Sequence, residues 1–370
     1  MNKKLCCIFR RPALYREPIH KLMEETFDID WYFGDTQEDI KCYDIASLER
    51  CTILPVKKLF ASLYYAKGEF GLLFRKDYQA FLMLNSTHNV SVWCFALMKR
   101  LFFRKKRLYY WCHGWYGKES FAERVIKKFL FRAADGIFTY GNYARNLMIK
   151  EGIDANKIFP IHNSLDHKRQ VELRNSGLAS DVYKQHFRKE LPLLIFIGRL
   201  TAVKRLDMII HAMAILKKQG HDYNLVFVGD GKEREKLESL IRQEGLQEQV
   251  WFYGACYDEE TNARLIYNAD LCVAPGNIGL TAMHSLVFGT PAITHNCFEW
   301  QMPEFEAIKE GKTGAFFEHD DVQSLTESIQ QWFDTHHDRE QTRQDCYREI
   351  DENWTPKYQI ELLKTHISLR

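Results

Sequence analysis

Two clusters of residues in this chain have the types and spacing to handle a phosphorylated ligand. The first is Leu194-Ile-Phe-Ile-Gly198-Arg199, followed closely by Lys204-Arg205. An apolar run that stops at Gly-Arg reads as a buried strand, a tight turn and then a helix, with cations fixed where the strand runs out. In open α/β sheets, ligands sit at the carboxyl ends of the strands. Arg199 and Lys204 there can spread the negative charge that grows on a diphosphate as its bond to a sugar breaks, without a metal ion. The second cluster is Ala274-Pro275-Gly276-Asn277-Ile278-Gly279-Leu280. Its glycines let backbone N–H groups approach an anion. The segment from Leu280 has helical periodicity, so its start offers unpaired N–H groups and the positive end of a dipole.

The elements that position these clusters follow from the hydrophobic pattern. In the first half, strands are predicted near 4–9, 28–33, 51–54, 80–84, 107–112 and 136–140, with helices near 88–103, 119–132 and 142–151. Residues 167–190 are polar and read as a connector containing one helix. The alternation then repeats. Strands are expected at 193–197, 223–228, 250–253, 270–274 and 291–294, and helices at 205–219, 232–244, 258–268, 280–288, 303–309, 321–334 and 355–368. Strands alternating with helices imply largely parallel sheets covered on both faces.

Length and composition bound the rest. A chain of 370 residues exceeds one ordinary core, so two domains are the default. The hydrophobic fraction of 46% and charged fraction of 27% are those of a globular protein without a membrane span. Ten scattered cysteines without CxxC pairs read as reduced thiols in a cytosolic protein, and no metal site is expected. A net charge of +2 with no recognised motif argues against nucleic acid as a partner. The basic, aromatic-rich stretch Lys99-Arg-Leu-Phe-Phe-Arg-Lys-Lys-Arg107 reads either as a solvated helix end or as a patch for an anionic membrane surface.

The ordered set Phe196-Ile-Gly-Arg-Leu…Lys204, Phe227-Val-Gly-Asp-Gly-Lys-Glu, Val250-Trp-Phe-Tyr-Gly-Ala, Tyr267-Asn-Ala-Asp-Leu, Gly279-Leu-x-x-x-His284-x-x-x-x-Gly-Thr-Pro291 and Glu310-Gly-Lys-Thr-Gly314 resembles the GT-B retaining glycosyltransferases of family 4 (glycosyl transferases group 1). The likeness spans residues 191–335. More loosely, Trp111-Cys-His113-Gly114 and Asp135-Gly-Ile-Phe-Thr-Tyr…Asn163-Ser-Leu-Asp166 are similar to parts of that family's acceptor domain. The resemblance implies an α/β, GT-B fold, with two Rossmann-like domains facing across a cleft. The domains would be 1–170 for the acceptor and 191–350 for the nucleotide sugar, joined by the connector 171–190. The C-terminal helix in 351–370 would pack back on the first domain.

It further implies a cytoplasmic, metal-independent, retaining hexosyltransferase without a cofactor. The donor would be a nucleotide-diphosphate sugar. The acceptor would be a growing glycan or lipid-linked oligosaccharide for cell-surface polysaccharide; the basic, aromatic-rich stretch 99–107 motivates placing it at the inner face of the membrane. Carried over residue by residue, Arg199 and Lys204 hold the diphosphate and His113 positions the transferred sugar. Gly279 and Leu280 present backbone N–H groups to phosphate and sugar, Gly198, Gly276, Asn277 and Ile278 belong to the donor site, and Gly254, Ala255 and Cys256 lie by the base. The chain departs from the family at a pair of glutamates eight positions apart, which here are Gly276 and His284. His284 can still meet a ribose hydroxyl. Glu299, Glu304 or Glu306 is expected to supply the missing carboxylate to the sugar. The loss of the pair also fits a non-catalytic nucleotide-sugar-binding subunit, and an epimerase is a third alternative.

Overall fold

The computed structural model of the protein describes residues 4–35, 41–84 and 86–369. The chain forms two compact units. One is Met1–Asp166 with Thr355–Arg370, and the other is His167–Trp354.

The first unit carries strands β1 (Lys4–Phe9), β2 (Ile29–Gly34), β3 (Cys51–Leu54), β4 (Val56–Lys58), β5 (Tyr64–Ala66), β6 (Tyr78–Leu84), β7 (Arg107–Cys112), β8 (Gly136–Thr139) and β9 (Ile158–Pro160). Its helices are α1 (Glu17–Thr26), α2 (Val90–Phe102), α3 (Phe121–Ala133) and α4 (Asn142–Lys150). Seven strands form one parallel sheet in the order β3-β2-β1-β6-β7-β8-β9, with β4 and β5 as a separate antiparallel pair. Both faces of the sheet are buried, which is why its strands read as continuous apolar runs. Cys6, Ile8, Phe81, Met83, Leu108 and Tyr110 join the core on one face. Their neighbours Leu5, Cys7, Ala80, Leu82, Tyr109 and Trp111 join the core on the other, as the two-residue side-chain period requires.

The second unit contains α5 (His167–Arg174), α6 (Val182–His186), β10 (Leu193–Ile197), α7 (Asp207–Lys218), β11 (Asn224–Val228), α8 (Arg234–Gln243), β12 (Val250–Gly254), α9 (Glu259–Asn268), β13 (Leu271–Val273), α10 (Leu280–Val287), β14 (Ala292–His295), β15 (Gly314–Phe317), α11 (Val322–Thr335) and α12 (Arg339–Asn353). Its six parallel strands run β12-β11-β10-β13-β14-β15. The order reverses between β10 and β13, and the loops that leave those two strands are the two clusters picked out above. The doubly wound topology puts its ligand crevice at such a reversal.

α13 (Pro356–His366) ends the chain in the first unit. Its Ile360 and Leu363, with Ile367 just beyond it, enter the same core as Leu5, Trp31 and Phe138. The buried Gln359 amide donates to His162 O at 2.9 Å and accepts from Ser164 Oγ at 2.7 Å. The segment expected as a helix at 303–309 is instead a 3-10 turn over Pro303–Ala307. Residues 167–190 form two short helices, α5 and α6, that pack on α9.

The basic stretch 99–107 is divided by the fold. Lys99 is buried, with its ammonium 2.6 Å from Asp135, and Arg107 shares that carboxylate at 3.1 Å. Arg100, Arg104 and Lys105 remain exposed, beside the exposed apolar side chains Leu97, Leu101 and Phe102 of α2 and Phe121 and Val125 of α3. Among the described residues, no helix is long and apolar enough to cross a membrane.

Candidate functional site

The strand ends are built from glycines because the chain turns in places with no room for a side chain. Gly198, Gly229 and Gly254 follow or end the neighbouring strands β10, β11 and β12 with φ of +148°, +151° and +95°. A Cβ on Gly229 would lie 1.9 Å from the carbonyl oxygen of Gly198. These turns release the chain above the sheet, where Arg199 follows at once. The Arg199 side chain is exposed and makes no hydrogen bond or ion pair among the described residues.

Lys204 closes the next turn, a 3-10 segment over Ala202–Lys204. Arg205 then takes a left-handed conformation (φ +49°) and pairs with Asp320. That pairing takes one cation of the cluster away and leaves Arg199 and Lys204. The Lys204 ammonium donates to Asn277 O, and the Gly276 N–H donates to Lys204 O at 3.0 Å. The two loops are thus tied to each other. Burial, reinforced by the charge of Arg199, lowers the pKa of Lys204, while the charge of Glu304 opposes that shift.

Gly276 explains its own identity. A Cβ there would sit 2.0 Å from Val203 O and 2.8 Å from Lys204 Cα. This loop lies too close to the 203–204 backbone for any side chain. Below it, the buried Gln301 accepts from Ile278 N at 3.0 Å and donates to Gly276 O at 3.3 Å and Thr294 Oγ1 at 2.8 Å. Gln301 was not among the expected site residues. An amide buried at 3% exposure under a glycine loop has no signature in sequence spacing.

α10 starts at Leu280 without a side-chain cap, and Gly279 has φ +54°. Among the described residues, no acceptor meets the N–H groups of Gly279, Leu280 or Thr281. The Thr281 hydroxyl donates to Ile197 O at 2.8 Å, which fixes this helix tip against the end of β10. Unsatisfied amides are the rule at a helix start, and this start follows the loop to which Lys204 is tied.

His284 lies one turn into α10, half-buried, with no hydrogen-bond partner among the described residues. Burial holds its pKa down to about 4, so the ring is neutral at pH 7 and presents one donor and one acceptor. The three candidate glutamates separate clearly. Glu299 is half-buried and accepts from the Trp300 indole at 3.1 Å. Glu306 is half-buried. Glu304 is 2% exposed, and its charge is felt by Lys204. Gly254, Ala255 and Cys256 sit at the end of the edge strand β12, where Asn262 donates to Cys256 O at 3.3 Å.

His113 belongs to the first unit and follows β7. Its ring lies 4.7 Å from that of Tyr140 and 5.9 Å from that of Tyr116. Burial first, then the charges of Arg16 and Lys127, hold its pKa down to about 4. The turn after it is rigid. Lys127 donates to Gly114 O at 2.9 Å and to Glu119 at 2.6 Å, while Glu119 accepts from the N–H groups of Tyr116 and Gly117.

Residues 181–349, all within the second unit, match the family Glycosyl transferases group 1. The GDP-mannose-dependent alpha-(1-6)-phosphatidylinositol dimannoside mannosyltransferase of Mycobacterium tuberculosis is 39% identical over 104 residues. That alignment covers 27% of this chain, and the chain spans about a quarter of the relative's length, 26%. Two solved structures share the fold along nearly the whole chain. The lipopolysaccharide outer core galactosyltransferase WaaB, in its apo form, superposes with a TM-score of 0.74 at 13% identity, covering 98% of this chain and 100% of its own. Anabaena Alr3699/HepE in complex with UDP gives 0.73 at 15% identity, with 98% and 99% coverage. The α/β, GT-B fold of two Rossmann-like units expected from the sequence is the fold observed.

Two outcomes follow from this geometry. Gly276→Glu, which puts a carboxylate into the loop, is expected to destabilise the second unit by about 2 kcal/mol or more, because the backbone beneath has no space. Urea denaturation reads it. The second concerns pH. The folded state binds His284 in its neutral form, so its contribution is complete above pH 6.5 and is lost as pH falls toward 4. Between pH 7 and 5 the loss is roughly 2 kcal/mol, and His284→Gln is expected to flatten that part of the stability profile. An unchanged slope in urea titrations across this window would refute the assignment.

Proposed function

We propose that this protein is a retaining glycosyltransferase of family 4. It moves a hexosyl group from a nucleoside diphosphate sugar to a growing, lipid-linked glycan of the cell surface, without a cofactor or a resident metal. What supports this most directly is one arrangement. An unpaired Arg199 and a tied-down Lys204 stand beside the open tip of α10, at the point where the strand order of the second sheet reverses.

The roles follow from the chemistry of each group. Arg199 and Lys204 neutralise the charge that gathers on the departing phosphate, and the N–H groups of Gly279 and Leu280 take up the rest. The phosphate so held accepts the acceptor proton beside the reacting carbon, which gives retention without an enzymic nucleophile. His284 meets the ribose through a ring nitrogen. Glu304, in place of the side chain that cannot stand at position 276, receives sugar hydroxyls. Its burial and its coupling to Lys204 favour it over Glu299 and Glu306. Gly254 to Cys256 lie along the base, and His113 is assigned to sugar positioning.

In this reading the acceptor binds the first unit. The exposed apolar side chains of α2 and α3, rimmed by Arg100, Arg104 and Lys105, suit peripheral contact with an anionic membrane on its cytoplasmic side.

Incubation with UDP- and GDP-hexoses and a lipid-linked acceptor is expected to release nucleotide and form an α-linked product from an α-linked donor. An inverted linkage by NMR, or no turnover with any donor that binds, refutes the catalytic assignment. Arg199→Ala and Lys204→Met are each expected to weaken nucleotide binding by about 10- to 100-fold, the worth of a charge-assisted hydrogen bond. For the membrane, sedimentation with vesicles should rise with phosphatidylglycerol content and fall on Leu101→Glu with Phe102→Glu. Binding indifferent to both would remove that part.

A further inference from the structure

The first unit buries a guanidinium that has no anion beside it. Arg16 ends the 3-10 turn Leu14–Arg16, shortly after β1, and is 8% exposed. Four rings enclose it. Its Cζ lies 5.3 Å from the ring centroid of Trp111, 5.4 Å from Tyr140, and 5.6 Å from both Phe9 and Tyr15. Its Nε donates to the Tyr15 hydroxyl at 3.2 Å. Its Nη1 is buried without an acceptor, and Arg16 takes part in no ion pair among the described residues.

The groups around it carry the same deficit. The indole N–H of Trp111, the hydroxyl of Tyr140 and Nδ1 of His113 are all buried without a hydrogen-bond partner. The rings are contiguous: His113 lies 4.7 Å from Tyr140, and Trp111 lies 6.4 Å from Tyr140. The positive charge of Arg16 is among the causes that keep His113 neutral, which places the two within electrostatic reach. Phe9 ends β1, Trp111 stands one residue before the end of β7, and Tyr140 follows β8. The cluster therefore sits at the carboxyl end of the first sheet, where this architecture places ligands.

Guanidinium and indole N–H groups can only donate. Ring faces offset part of the cost of burying a cation, but they do not accept from N–H groups directed elsewhere. A water molecule could accept from two of these donors and would leave the charge uncompensated. An oxyanion satisfies both needs at once.

We propose that Arg16, Trp111, His113 and Tyr140 form an anion site on the first unit, which takes a phosphate or carboxylate group carried by the acceptor. The assignment to the acceptor rests on the glycosyltransferase reading given above. The anion site itself does not.

The test uses the full chain carrying Arg199→Ala and Lys204→Met, so that phosphate has no purchase on the second unit. Calorimetry and thermal melts are run with sodium phosphate and sodium acetate, against sodium chloride at equal ionic strength. Phosphate or acetate is expected to bind in the millimolar range or tighter and to raise the melting temperature beyond chloride. Arg16→Met on that background should lose at least tenfold in affinity. It should melt no lower than its parent in chloride, since it removes a buried unpaired charge. Trp111→Phe, which keeps the ring and deletes one donor, should lose several-fold and guards against a misfolded Arg16 variant. Preference for phosphate points to a phosphate-bearing acceptor, and preference for acetate points to an acidic sugar. The site is refuted if neither anion outdoes chloride, or if Arg16→Met and Trp111→Phe bind as the parent does. UDP binding by the protein with Arg199 and Lys204 intact reports on the donor site separately, so failure of one assignment leaves the other readable.

Discussion

The close approach of two backbones governs the second unit. The loop after β13 lies directly against residues 203–204, with the Gly276 N–H on Lys204 O and the Lys204 ammonium on Asn277 O. Contact at this range needs glycine at 276. It also fixes where a cation and a helix tip meet, because the tie runs from one loop to the other and each loop is anchored on its own strand. Thr281 adds a third stitch, from the first turn of α10 to the last carbonyl of β10. Preorganised donors of this kind act on a developing charge without reorganising at the moment of reaction.

The same packing accounts for the chain's departure from the motif of the family that residues 181–349 match. A carboxylate at 276 and tight loop packing exclude each other on steric grounds, so in the proposed reading the acid comes from elsewhere. The turn Pro303–Ala307 brings Glu304 into the interior on the same side as Lys204, and Gln301, three residues earlier, braces the glycine loop from below. One short segment after β14 therefore does two jobs. It supports the backbone of the loop and carries a carboxylate that the loop cannot. A buried carboxylate near a half-buried ammonium is mutually stabilising only while both stay charged. The opposed influences on Lys204, burial lowering its pKa and Glu304 raising it, describe that balance.

Much of this was legible from residue order. The parallel sheets, the strand that ends in Gly198-Arg199, and the helix starting at Leu280 follow from apolar runs punctuated by glycine, because both faces of each sheet are buried. What escaped has a physical reason in each case. α12 is charged and has little apolar periodicity, since it is held through Thr342, Arg343, Cys346 and Ile350 rather than a broad apolar stripe. α1 hides behind Arg16 and a proline at its start. The basic run 99–107 read as one patch, but Asp135, some thirty residues on, pairs with both Lys99 and Arg107. Long-range pairing of this sort leaves no trace in local spacing. Gln301 is similar, because its four side-chain partners, Gly276, Ile278, Thr294 and His295, come from loops and strands that meet only in the fold.

Among the described residues, several cations that leave the solvent take an acid with them: Lys99 has Asp135, Lys127 has Glu119, and Arg174 has Asp351. Against that pattern Arg199 and Arg16 differ from their neighbours and from each other. Arg199 is exposed, so water solvates it until a ligand arrives, and a polyanion can exchange with that water at little desolvation cost. Arg16 is enclosed by rings that cannot accept its N–H groups. Its charge is held in place by the folding of the whole first sheet, through Phe9, Trp111 and Tyr140, rather than by any one partner. An exposed cation suits a group that must come and go with turnover. A cation already desolvated binds an anion more strongly per contact, and discriminates by shape, since an ill-fitting anion would also forfeit its own hydration. The two arginines thus fit different demands on charge recognition: release for the one, selection for the other.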